Sequence, residues 1–244
     1  MKRAYLIAIA VVLLLTAVTA CAQDFIAPPE SLPGGLSYQQ WSAKFWQWAW
    51  SIPYAVNPIL DTTGIDCDVR QSKSGPVWFL AGTAGFDATR QCFIPVGRMI
   101  FFPIINVIND YPCPDPQFQP GPKQSLEQFL TIGYGPYIGA RQYIDHLTAA
   151  SASLDGVAVQ DLILPPETSK YWATSSIFNF NGDPSLQVLD PCVGPKHKAV
   201  SDGYWIMLKP LPAGPHTLTF SGTETWPPPG SPFTVTVTYY LTIY

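Results

Sequence analysis

The chain closes on FTVTVTYYLTIY, Phe233 to Tyr244, in which threonine alternates with apolar residues over nearly the whole length. A period of two puts alternate side chains on opposite faces of an extended strand, so this segment reads as a half-buried β-strand. Upstream, HTLTFSG (His216 to Gly222) and DGYWIMLKP (Asp202 to Pro210) flank a turn from Leu211 to Pro215. Further toward the N-terminus, PVWFLAG follows Gly75, and RQCFIP (Arg90 to Pro95) meets RMIFFPIIN (Arg98 to Asn106) across Val96-Gly97, a hairpin-like turn. SLDGVAV centres on Asp155-Gly156, a strong short hairpin signal. Strands at such spacing, with 26 prolines and 18 glycines in the chain, predict a mainly β fold: an antiparallel sandwich or jelly roll.

The helical exception is SYQQWSAKFWQWAWSIP, Ser37 to Pro53. Ser37 and Gln40 form a capping-box pattern, and Pro53 ends the run. At 100° per residue Tyr38, Trp41, Phe45, Trp48, Ala49 and Ile52 share one face, which is expected to pack on the sheet. Trp46 and Trp50 lie outside that stripe. A second layer is expected to cover them, for example a helix over Tyr137 to Ala149; the other outcome is contact with a partner. Short helices are expected there and over Ser125 to Thr131.

The first residues show the layout of a secretory signal: Lys2 and Arg3, then an apolar run from Ala4 to Ala20. The run is short for a spanning helix, and no basic stop-transfer cluster follows it. Val18-Thr19-Ala20-Cys21 also resembles a bacterial lipobox, which would lipidate Cys21; residues 1–21 therefore read as signal, with membrane attachment only through such a lipid. Residues 22–36, with Pro28, Pro29, Pro33 and Gly34-Gly35, read as an extended leader, and residues 37–244 as one domain. Cys67, Cys92, Cys113 and Cys192 form an even set, as expected for two disulfides in an exported chain. Of three pairings, Cys67 with Cys92 and Cys113 with Cys192 is preferred, because each ties a loop-flanked strand to a neighbour.

Loss of the signal leaves 11 of the 13 basic residues against 17 acidic ones, a net charge of −6 that disfavours nucleic acid and anionic lipid. Charged residues make up 12% of the chain, about half the ~25% usual in soluble domains. Such a surface suits an extracellular protein and surfaces that meet in an assembly.

Catalytic signals are weak. His146, His197 and His216 stand in no metal-binding or nucleophile motif. Asp61, Asp66 and Asp68 in DTTGIDCDV offer an oxygen-rich loop of the kind calcium uses, although the spacing misses the EF-hand order. No cofactor is otherwise indicated. Asp110, Asp115 and Asp183 form a second acidic group in proline-rich loops, and Glu127, Glu167 and Glu224 complete the carboxylates that a hydrolase would draw on. Trp78 and Trp205 lie in apolar strand runs and belong to the core, whereas Trp172 and Trp226 adjoin polar or proline-rich segments and are the candidates for stacking on a polysaccharide. The uncharged terminal strand would invite pairing with another chain if it lay at an edge, and the leader could cross to a neighbour.

The ordered set SYQQWSAKFWQWAWSIP, GPVWFLAG, CFIPVGRMIFFPIIN, DGYWIMLKPLPAGPHTLTFSG and TVTVTYYLTI resembles a widespread family of exported bacterial proteins without an assigned activity. The resemblance implies export and the pairing of an aromatic helix with a single β body. It supplies no catalytic residues. The leading expectation is an exported, non-enzymatic cell-surface or extracellular protein with a structural, adhesive or assembly role. A carbohydrate-binding module and a secreted hydrolase are the alternatives.

Overall fold

The computed structural model describes residues 25–163, 166–225 and 230–244. Two five-stranded sheets pack face to face. One has the order β1 (Val77–Phe79), β3 (Met99–Tyr111), β8 (His197–Leu208), β6 (Trp172–Thr174), with β7 (Phe178–Phe180) also on β8. The other runs β2 (Ala88–Ile94), β10 (Pro232–Ile243), β9 (Gly214–Thr225), β4 (Leu147–Leu154), β5 (Val157–Ala158). The sandwich is mainly antiparallel, but β1–β3 and β2–β10 are parallel pairs. Phe102 meets Phe220 between the sheets, with ring centroids 5.0 Å apart.

Helix α1 (Tyr38–Ala49) lies on the opposite face of the β8 sheet. Its capping box forms as expected: Gln40 N–H donates to Ser37 Oγ and Ser37 N–H donates to Gln40 Oε1. Phe45 is buried against Trp205, at 5.1 Å, and Trp205 stacks flat on Phe101. Burial of each such ring contributes roughly 2–3 kcal/mol. Trp78 and Trp205 are core residues, as their strand runs imply.

Three sequence expectations are corrected. Residues 90–95 and 98–106 form no hairpin: Val96-Gly97 carries the chain from the β10 sheet to the β8 sheet, so β2 and β3 find other partners. The helix expected over Tyr137 to Ala149 is only α3 (Ala140–Ile144), and Leu147 onward is strand β4 paired to β9. The other expected helix forms as α2 (Leu126–Ile132). The leader is docked from Phe25 on: Ala27 N–H donates to Met207 O, Lys209 N–H to Phe25 O, and the buried Tyr38 hydroxyl links Ala27 O with Met207 N–H. The terminal strand β10 is not an edge over most of its length: it lies between β9 and β2 from Val237 to Ile243, and among the described residues only its first residues lack a second strand.

The expected disulfides form, Cys67–Cys92 and Cys113–Cys192, the mark of a chain that folds in an oxidising compartment. Among the described residues no helix is long and apolar enough to cross a membrane.

Candidate ligand-binding cleft

Strand β3 positions the most distinctive site. Strand β1 covers only its first three residues, Met99 to Phe101, and Leu80 N–H then reaches Phe101 O; beyond that point, among the described residues, no strand lies on the side away from β8. Backbone direction follows from β8. Trp205 and Ser201 bond outward to Tyr171 O and the Ser175 N–H, so their β3 partners, Pro103 and Ile108, turn away from β8. By the alternation of an antiparallel ladder Asn106, Ile108 and Asp110 therefore direct N–H and C=O to the open edge.

Two connected cavities of about 360 Å³ each follow this edge and share Val107, Ile108 and Asp190. One is walled by Trp46, Trp50 and the Gly82 to Ala84 loop, the other by Asp110, Asp115 and Tyr143. Trp46 and Trp50 are buried and border the first cavity together with the loop, β3, Leu189 and Asp190, while α3 packs on β3, β8 and α2. Their rings meet edge to face, 4.7 Å apart.

Unpartnered polar atoms concentrate here. The described residues contain six buried side-chain polar atoms without a hydrogen-bond partner, and three are Trp46 Nε1, Trp50 Nε1 and Asp110 Oδ2. Native interiors rarely leave such groups unmet, which sets these two adjoining cavities apart. Asp110 is only 2% exposed and Asp190 half-buried. Burial, then the neighbouring Asp190 charge, push the Asp110 carboxyl up to about 8, although its own backbone N–H opposes the shift. Asp110 accordingly keeps its proton at neutral pH. Burial and Asp190 also raise the Tyr143 hydroxyl.

Among the described residues Asp110, Asp190 and Cys192 alone gather three metal-ligand atoms, within 4.8 Å of one another. Cys192 is bonded to Cys113, so no thiolate is offered and two carboxyls remain. The proposed calcium loop is differently used. Asp61 accepts from Thr63 N–H, Thr63 Oγ1 and Asp66 N–H, and although burial opposes it these bonds hold the carboxyl below its ordinary range. Asp66, raised by burial and by its acidic neighbours, and exposed Asp68 do not converge with it as a ligand set.

The remaining sequence candidates are dispersed. Trp172 is half-buried; Arg141 lies 4.0 Å above its ring, and its Nε1 donates to buried Asp202, which also accepts from Thr174 and Arg141. Trp226 and Cys21 lie outside the described residues. His216 pairs with Asp155 and Pro212 O, and His197 meets Cys192 O; His146 follows α3. Asp183 caps the 3-10 turn Pro184–Val188, and Asp115 accepts from the Tyr137 hydroxyl. Glu127, Glu167 and Glu224 sit apart on α2, the turn Pro166–Thr168 and β9. Asp190 escaped the sequence reading, although Asp110 and Asp190 each stand two or three residues before a cysteine of one disulfide.

No family model and no curated protein matches this chain. Among solved structures it is similar to a cysteine protease inhibitor from Entamoeba histolytica, at 12% identity over 69% of this chain and 96% of that one, TM-score 0.24. It is also similar to the chain PbICP-C, solved in complex with falcipain-2, at 9% identity over 70% of this chain and 100% of that one, TM-score 0.23. Likeness at this level carries no argument about role.

Proposed function

We propose that this is an exported, non-enzymatic binding protein of the cell surface or extracellular space, which receives its ligand in the cleft between α1, the β3 edge and Asp190. The observation that carries the reading is the gathering of Trp46 Nε1, Trp50 Nε1 and Asp110 Oδ2, buried and without partners, around one open cleft. Export through the N-terminal signal, with Cys21 as the lipid anchor, completes the proposal and is supported by the two disulfides. Tryptophan fluorescence of the mature oxidised protein, titrated with soluble oligosaccharides and unstructured peptides, tests it. A saturable change that weakens in Trp50→Phe supports the reading. Saturable binding that ignores Trp46→Phe, Trp50→Phe and Asp190→Asn contradicts it, as does calorimetric silence across the panel.

A secreted hydrolase is the second reading, favoured by the convergence of Asp110 and Asp190 in one cavity. It requires turnover of a glycoside or peptide that disappears in Asp190→Asn; binding without turnover removes it.

A further inference from the structure

The cleft contains a feature that a general ligand seat does not need. Asn106 and Ile108 present outward backbone groups at the spacing of an extended strand, followed by Asp110, whose N–H meets its own carboxyl, and among the described residues no main-chain partner meets them from that side. An edge of this kind pairs with another extended chain, main-chain bonds giving affinity and flanking pockets reading alternate side chains. The two cavities that run along it supply such pockets. Their acidic lining residues are Asp115, Asp190 and Asp110, the last held protonated by burial, and among the described residues no Lys, Arg or His lines either cavity. Charge complementarity therefore selects a basic partner and rejects an acidic one. A sheet edge with strand-spaced donors and acceptors also favours a polypeptide over a polysaccharide, which lacks the two-residue repeat.

We infer that the open edge of β3 from Asn106 to Asp110 takes up an extended, lysine- or arginine-bearing polypeptide segment as an added strand. The inference rests on the reading of this cleft as the ligand seat. Basic side chains of the segment enter beside Asp190, and its main chain reaches the outward groups of Ile108.

The test uses the mature oxidised protein and a twelve-residue peptide alternating valine with lysine, beside controls carrying glutamate or threonine in place of lysine, and chitohexaose. Fluorescence anisotropy is expected to show saturable binding of the lysine peptide, weakened roughly tenfold in Asp190→Asn and by added salt. Ile108→Pro removes an outward N–H without touching the β8 ladder and is expected to abolish binding, while Ile108→Val retains it. Should the proline variant fail to fold by near-ultraviolet circular dichroism, amide exchange in the unaltered protein decides: the lysine peptide must slow exchange at Asn106, Ile108 or Asp110. Equal binding of all three peptides, binding unchanged by a folded Ile108→Pro, or unaltered exchange at those amides overturns the inference. Cleft binding of chitohexaose alone overturns strand addition and leaves the ligand seat standing; silence of every titrant overturns both.

Discussion

The buried carboxyl of Asp110 faces the half-buried carboxyl of Asp190, with their nearest oxygens within 4.8 Å, and the Cys113–Cys192 bridge ties the two segments beside them. Burial first, and then the Asp190 charge, keep Asp110 protonated at neutral pH, so the cleft carries less charge than its carboxyls suggest.

The contact sets a pH dependence. The Asp110 carboxyl titrates at about 8 when folded and near its ordinary value, 3.8, when unfolded. The unfolded chain therefore holds fewer protons between those limits, and this group's contribution to stability is full below pH 4 and is lost as pH rises toward 8. Asp190, Tyr143 and Asp115 face the same cavity and add no positive charge. Asp110→Asn is expected to raise the melting temperature at pH 8 by several degrees and to change it little at pH 4. Calorimetry across that range checks the slope.

Arg90 ties the loops around Asp61 and Gly82 to β10. Its guanidinium is buried and donates to Asp61 O, Ala81 O, Gly82 O and the Tyr239 hydroxyl, while its carbon centre lies 5.4 Å from the Tyr239 ring. A lysine cannot reproduce this fork and leaves carbonyls unmet. Arg90→Lys is expected to cost about 3 kcal/mol, read as a lower urea midpoint with unchanged slope.

Phe45 tests the dock of α1. Truncation to alanine opens a cavity among Trp46, Trp48, Phe79 and Trp205 and is expected to cost about 3–5 kcal/mol. Loss of stability without a fall in near-ultraviolet signal from the tryptophans contradicts the packing described.

Asp202 is the acceptor that holds Arg141, Trp172 and Thr174 together. Asp202→Ala strands the Arg141 cation and is expected to cost about 3 kcal/mol. Trp226→Ala is the corresponding test of polysaccharide stacking: unchanged retention across a polysaccharide panel removes that residue from the binding surface.

Much of the fold is legible locally. The Ser37/Gln40 cap, the Asp155-Gly156 turn, the alternation of β10 and the cysteine pairing all rest on short-range chemistry or parity. What escaped depends on tertiary placement. Ala149, Ala150 and Ala152 favour helix intrinsically, yet pairing with β9 draws them into β4. Val96-Gly97 carries turn chemistry but no information on which sheet follows. The cleft was hidden for the same reason: the free edge of β3 exists because β1 is short, and Asp190 reaches Asp110 only through the disulfide.

The central claim is that the cleft beside Trp46, Trp50 and Asp190 is where this protein binds. Residue-resolved amide exchange, with and without the valine–lysine peptide, tests it most directly. The account predicts slowed exchange at Asn106, Ile108 or Asp110, lost in Asp190→Asn at the same peptide concentration. Saturable binding with unaltered exchange along β3 would contradict it.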